Sequence, residues 1–151
     1  FHYVLGGGSL FAIFAALFFW WPKMFGVKLN ETLGKWCFAL LFIGFNVTFL
    51  PMHFMGVMGM PRRVFTYEAG GPLTILNLIA TCGSYIMFAG VSLFVYNAIV
   101  SARARIPVSN DPWGANSLEW WTSSPPPEHN FETLPPIRSE RPVYDARRKN
   151  A

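Results

Sequence analysis

Charge is absent from three long stretches of this chain. About residues 3–21, 36–60 and 73–100 hold no Lys, Arg, Asp or Glu. A bilayer core of roughly 30 Å is crossed by about 20 apolar residues of helix. Each stretch meets that length, and soluble core helices rarely stay free of charge for so long. With no water in the hydrocarbon to satisfy the backbone, each stretch must close its own hydrogen bonds and is predicted to be a helix. The pattern therefore predicts an all-α membrane protein with three transmembrane helices. From residue 106 the pattern breaks. Most of the twelve prolines lie between Pro107 and Pro142, and the run Ser123-Ser124-Pro125-Pro126-Pro127 excludes regular helix. An extended, Pro-rich tail is expected over 106–151, with disorder from Tyr144 to Ala151.

The connections fix an orientation. The loop from Pro22 to Lys35 carries Lys23, Lys28 and Lys35 against Glu31, and the third span is followed by Arg103 and Arg105. Those five basic residues lie on one side. The loop from Pro61 to Pro72 on the other side has Arg62 and Arg63. The positive-inside rule puts the first loop and the tail on the cytoplasmic or matrix side, so His2 lies towards the outer face. Trp20, Trp21 and Trp36 flank the first loop as an aromatic belt, and Trp113, Trp120 and Trp121 are expected to anchor the tail at the interface. Asn30 stands where it can cap the second helix.

Composition agrees: 52% of residues are hydrophobic, 17% aromatic and only 13% charged, too few charges for an ordinary soluble surface. The net charge of +4 comes from membrane-flanking loops and the tail, with no structured basic face, so no nucleic-acid partner is expected. Cys37 and Cys82 sit on different spans without metal or redox spacing and are read as apolar fillers. The chain lacks an initiator Met and runs straight into a span, as an excerpt from a longer polypeptide would.

Few residues can carry chemistry. His2 is first: an imidazole on a membrane helix is costly unless paired or ligated, and imidazole is the usual axial ligand of haem iron. Gly6, Gly7 and Gly8 follow, where a backbone can approach a second helix or a flat ring closely. Arg62 and Arg63 are second. Two adjacent guanidiniums on the side where the positive-inside rule disfavours them need anions, and their forks suit carboxylates. Glu68, a cofactor carboxylate, solvent and lipid headgroups are all available partners. His53 follows Pro51 within the second span and is read as structural, bonded locally. His129 in the tail is read as a surface residue. Asn46, Thr48, Asn77, Thr81, Ser84, Tyr85 and Asn97 are polar positions on the spans, expected to join helices.

Three runs carry a resemblance: Phe1-His2-Tyr3-Val4-Leu5, Gly56-Val57-Met58-Gly59-Met60-Pro61-Arg62-Arg63, and the run from Leu118-Glu119-Trp120-Trp121 through Pro125-Pro126-Pro127 to Phe131. Together they resemble the C-terminal part of subunit I of the haem–copper oxidases, over roughly residues 1–135, most closely the bacterial cytochrome c-oxidising type. The resemblance implies a twelve-helix bundle of which these are the last three spans. In the family the first of them begins His-Phe-His, and the residue before Phe1 would be the ligand of the high-spin haem. His2 would be the axial ligand of the low-spin haem, and Phe1 would lie between the two rings. Residues i and i+2 of a helix point about 200° apart, so two such histidines serve different haems. The family places the arginine pair over the haem propionates. The copper of the active site and the proton-uptake residues belong to earlier spans and have no ligands here.

The resemblance implies a terminal respiratory oxidase of the bacterial inner membrane, reducing oxygen to water with electrons from cytochrome c while pumping protons. The implied partners are the rest of subunit I, subunits II and III, cytochrome c and the lipid bilayer. A quinol-oxidising member of the same family is the alternative, and a membrane module without haem is the alternative of another class. The chain alone is expected to be inactive.

Overall fold

The computed structural model describes residues 1–149. Helices run from His2 to Phe25, Glu31 to Val57, Pro72 to Ala104 and Pro142 to Lys149. The first three are long and apolar enough to cross a membrane. They overrun the charge-free stretches by four or five residues at three ends, reaching Phe25, Glu31 and Ala104, while the second helix stops at Val57, short of Met60.

The first helix contains a π-helical segment, Leu5–Leu10. It coincides with Gly6, Gly7 and Gly8, whose low helix propensity weakens the regular ladder at that point. The second helix starts where expected: the Asn30 side chain accepts from the Leu33 backbone N–H at 3.0 Å. Pro51 lies inside this helix without breaking it.

The chain divides into two compact units. The first comprises Phe1–Phe11 and Asn30–Ala98. Here the second and third helices pack through glycines. A Cβ on Gly44 would stand 2.7 Å from the Met87 backbone nitrogen, and one on Gly83 would stand 2.5 Å from that of Thr48. At Gly90 the corresponding distance to the Leu41 nitrogen is 3.1 Å. Backbones this close gain dispersion contacts that lipid cannot match. Asn97 is fully buried and grips the Asn30 peptide from both sides. Its Oδ1 accepts from the Asn30 N–H at 2.9 Å, and its Nδ2 donates to the Asn30 carbonyl at 3.0 Å.

The second unit comprises Ala12–Leu29 and the chain from Ile99 onward. The Pro-rich segment has no regular element beyond the single turn Leu118–Trp120 and one bridge, Val27 to Pro107. Two expectations for the tail are corrected here. Tyr144 to Lys149 are helical, not disordered, with Val143 buried and Arg147 paired with Asp111 and Asn116; Asn150 and Ala151 lie outside the described residues. Trp120 is no interfacial anchor: it is 2% exposed, edge-on to Phe19 and beneath the Lys23 ammonium. Trp113 and Trp121 are partly accessible, donating from their indoles to the Phe19 and Thr133 carbonyls. At Gly26, whose φ is +67°, a Cβ would stand 3.0 Å from Pro125, so both backbone and space demand glycine.

Candidate functional site

His2 occupies the first turn of the first helix, with an exposed ring stacked on Phe49 of the second helix. The centroids are 4.5 Å apart and the planes 11° from parallel. Phe1 is 82% exposed and meets the His2 ring edge-on at 5.4 Å. Tyr3 is held at both ends. Its ring lies 5.0 Å from Phe45 and 5.3 Å from His53, and its hydroxyl donates to Asn46 Oδ1 at 3.0 Å. Asn46 in turn donates from Nδ2 to the Phe42 carbonyl at 2.8 Å. It is thus an interhelical link, as expected of it.

His53 bonds locally, as read from its place after Pro51. Its Nδ1 lies 3.0 Å from the Phe49 carbonyl oxygen. A carbonyl only accepts, so Nδ1 carries the hydrogen. One residue, Phe49, therefore contacts both histidines: its ring takes His2 and its carbonyl takes His53.

The glycines divide. Gly6 is filled from within, since a Cβ there would stand 2.6 Å from the Phe45 ring. Around Gly7 and Gly8, apart from the helix's own nearby backbone, nothing among the described residues lies within 4 Å of where a Cβ would be. The helix–helix use of this run occurs at Gly6.

Arg62 and Arg63 follow the C-terminus of the second helix in an exposed turn. Arg63 has a left-handed backbone, φ 60°, which costs a residue with a Cβ about 1 kcal/mol. Such conformations concentrate at ligand-holding turns. Among the described residues Glu68 does not pair with either arginine. No contact joins the arginines to His2; the structure groups His2, Tyr3, Asn46, Phe49 and His53, and leaves the arginine pair as a separate feature of the same unit.

Among the described residues no three His, Cys, Asp or Glu side chains converge as a metal site would require. A haem axial site asks less: one accessible imidazole, a clear approach and cations for the propionates. His2 offers an exposed imidazole, and the flank at Gly7 and Gly8 and the arginine pair stand as separate features of the same unit. Of the remaining candidates, His129 is exposed as expected, Cys37 is buried and Cys82 exposed.

Two features escaped the reading of the sequence. One is the stack of Phe49 on His2. Its signal was present: Asn46, Phe49 and His53 are spaced i, i+3, i+7 and share one helical face. The other is Lys23, counted as a loop charge. It is buried, and its ammonium donates to the carbonyls of Asn110, Thr122 and Ser123 at 3.2, 2.9 and 3.1 Å. No local pattern announces partners about 90 to 100 residues away.

Comparison with known sequences bears on all of this. Residues 1–86 match the family described as cytochrome C and quinol oxidase polypeptide I. Over 146 residues the chain is 50% identical to cytochrome c oxidase subunit 1 of Alkalihalophilus pseudofirmus, covering 95% of the chain and 23% of that protein. It is 50% identical over 145 residues to the cytochrome c oxidase subunit 1 of Bacillus subtilis, covering 95% and 23%. It is 48% identical over 143 residues to the quinol oxidase subunit 1 of the same organism, covering 93% and 22%. The chain thus spans less than a quarter of the length of these relatives.

Proposed function

The chain belongs to the cytochrome c and quinol oxidase polypeptide I family, and from that premise we propose that it supplies the low-spin haem ligand and propionate clamp of a terminal respiratory oxidase. The whole enzyme oxidises cytochrome c, reduces oxygen to water and pumps protons across the bacterial inner membrane. Its partners are the rest of subunit I, subunits II and III, and cytochrome c. The tail faces the cytoplasm.

The observation that carries this reading is the accessible His2 imidazole, held flat against Phe49 at the start of a helix with no charged residue before Lys23. Leaving such a ring in hydrocarbon without a partner costs free energy, and ligation removes that cost. A bound haem supplies one-electron chemistry at iron. His2 would give a ring nitrogen to it, and Phe1 stands edge-on beside that ring. Arg62 and Arg63 offer planar forks to the propionates, whose negative charge also makes this pair tolerable on the outer face. The copper of the family takes no ligand from these residues.

The test is the whole oxidase carrying His2→Ala. Its reduced-minus-oxidised spectrum is expected to lose the low-spin haem band; an undiminished band ends the ligand assignment. A quinol donor is the second reading, favoured by the 48% identity to a quinol oxidase subunit 1. A dinuclear copper centre in the purified enzyme's second subunit supports cytochrome c, and its absence supports quinol.

A further inference from the structure

We infer that Tyr3 and Asn46 are positioning residues that set the plane of the His2 ring, with Phe49 as the surface it is set against. The inference rests on the proposed role of His2 as a haem ligand and adds the side chains that orient it.

A histidine at the start of a helix has two free torsions and a frayed backbone. Here both freedoms are removed by the second helix. The backbone is fixed through the next residue. Tyr3 donates to Asn46 Oδ1 at 3.0 Å, and Asn46 is itself fixed by its bond to the Phe42 carbonyl at 2.8 Å. His53 braces the Tyr3 ring from the side at 5.3 Å, and is anchored by Nδ1–H to the Phe49 carbonyl. The helix's first turn therefore cannot rotate without breaking that hydrogen bond. The ring torsion is fixed by Phe49, whose face lies 11° from parallel to the imidazole at 4.5 Å. Gly6 permits the approach, since a Cβ there would strike Phe45.

An axial imidazole's plane, relative to the porphyrin nitrogens, sets the splitting of the iron d orbitals. With the second axial ligand unaltered, the low-spin g values respond to that plane, whereas loss of haem lowers the intensity of the signal. Whole oxidase is therefore compared as wild type, Tyr3→Phe, Asn46→Leu, Asn46→Asp and Phe49→Leu, each at measured haem content. Tyr3→Phe and Asn46→Leu are expected to shift the low-spin g values equally, the double variant no further than either single one. Asn46→Asp keeps an oxygen for the Tyr3 hydroxyl and is expected to restore the wild-type values. Phe49→Leu is expected to broaden the same signals. Should Asn46→Leu fail to assemble, Tyr3→Phe, which removes one oxygen atom, decides alone. Unchanged g values in Tyr3→Phe at full haem content overturn the inference. His2→Ala is the separate arm: a low-spin signal that survives it overturns the ligand reading, and the positioning role falls with it.

Discussion

Lys23 shows how one side chain can be misjudged from its neighbours alone. An ammonium has three donors, and here three backbone carbonyls receive them while the Trp120 ring lies 5.1 Å away. The charge has exchanged its water shell for a protein one. Lys23→Met preserves the apolar stem and leaves three carbonyls without their donor. With partial recovery from water at the more exposed oxygens, the cost is about 2–4 kcal/mol. Limited proteolysis of membranes is expected to cleave the variant's tail several-fold faster at unchanged low-spin haem content. Lys23→Arg is expected to fail as a rescue, because a planar fork cannot reach three convergent oxygens. Equal cleavage of wild type and Lys23→Met would show that the clamp does not hold the tail.

At the level of helices, contact is governed by where side chains are missing. Gly44 and Gly83 sit where a single methyl would meet the backbone of the facing helix. Backbone cannot move aside as a flexible side-chain tip can, so the whole helix must shift. Gly83→Ala is expected to destabilise by about 1–3 kcal/mol, read as a lower temperature of thermal haem loss. Gly56 is the control on the same pair of helices. Apart from its own helix's backbone, nothing among the described residues lies within 4 Å of a Cβ placed there, and its backbone is helical. Gly56→Ala is expected to be neutral or stabilising by up to about 1 kcal/mol through helix propensity. If both variants melted alike, close packing would not be what joins the two helices.

For the molecule as a whole, the relevant quantities are orientation and field. The Lys23 ammonium keeps its charge but is solvated by carbonyls inside the fold, and even a basic count that leaves it out is four against two. The bias keeps its sign. In a background lacking Cys37 and Cys82, a cysteine replacing Phe65, which is 99% exposed, is expected to react with an impermeant thiol reagent applied outside. One replacing the exposed Glu128 is expected to react only after permeabilisation. The reverse pattern would invert the topology. The arginine pair acts through its field. A cation beside a haem favours the reduced form, so Arg62→Ala is expected to lower the low-spin midpoint potential by on the order of 1 kcal/mol. Redox titration measures it, and an unmoved potential would remove the pair from the haem's surroundings.

Much of the architecture was legible along the chain because lipid imposes a one-dimensional rule: no charge for about 20 residues, and helix throughout. The three spans, the Asn30 cap and the local bond of His53 after Pro51 followed from neighbours within a few residues. So did the candidacy of His2, since an imidazole in hydrocarbon stands out by chemistry alone. Hidden from that view were the contacts whose partners are far apart in sequence. Asn97 takes hold of the Asn30 peptide 67 residues away, Lys23 reaches Ser123 across 100, and Phe49 meets His2 on another helix. The tail's last helix belongs with them: its eight residues are too few to form one unaided, and the burial of Val143 together with the Arg147–Asp111 pair gives it something to form against. Solvent preference is a property of each residue and can be read in order; the direction a ring faces depends on which helix arrives beside it.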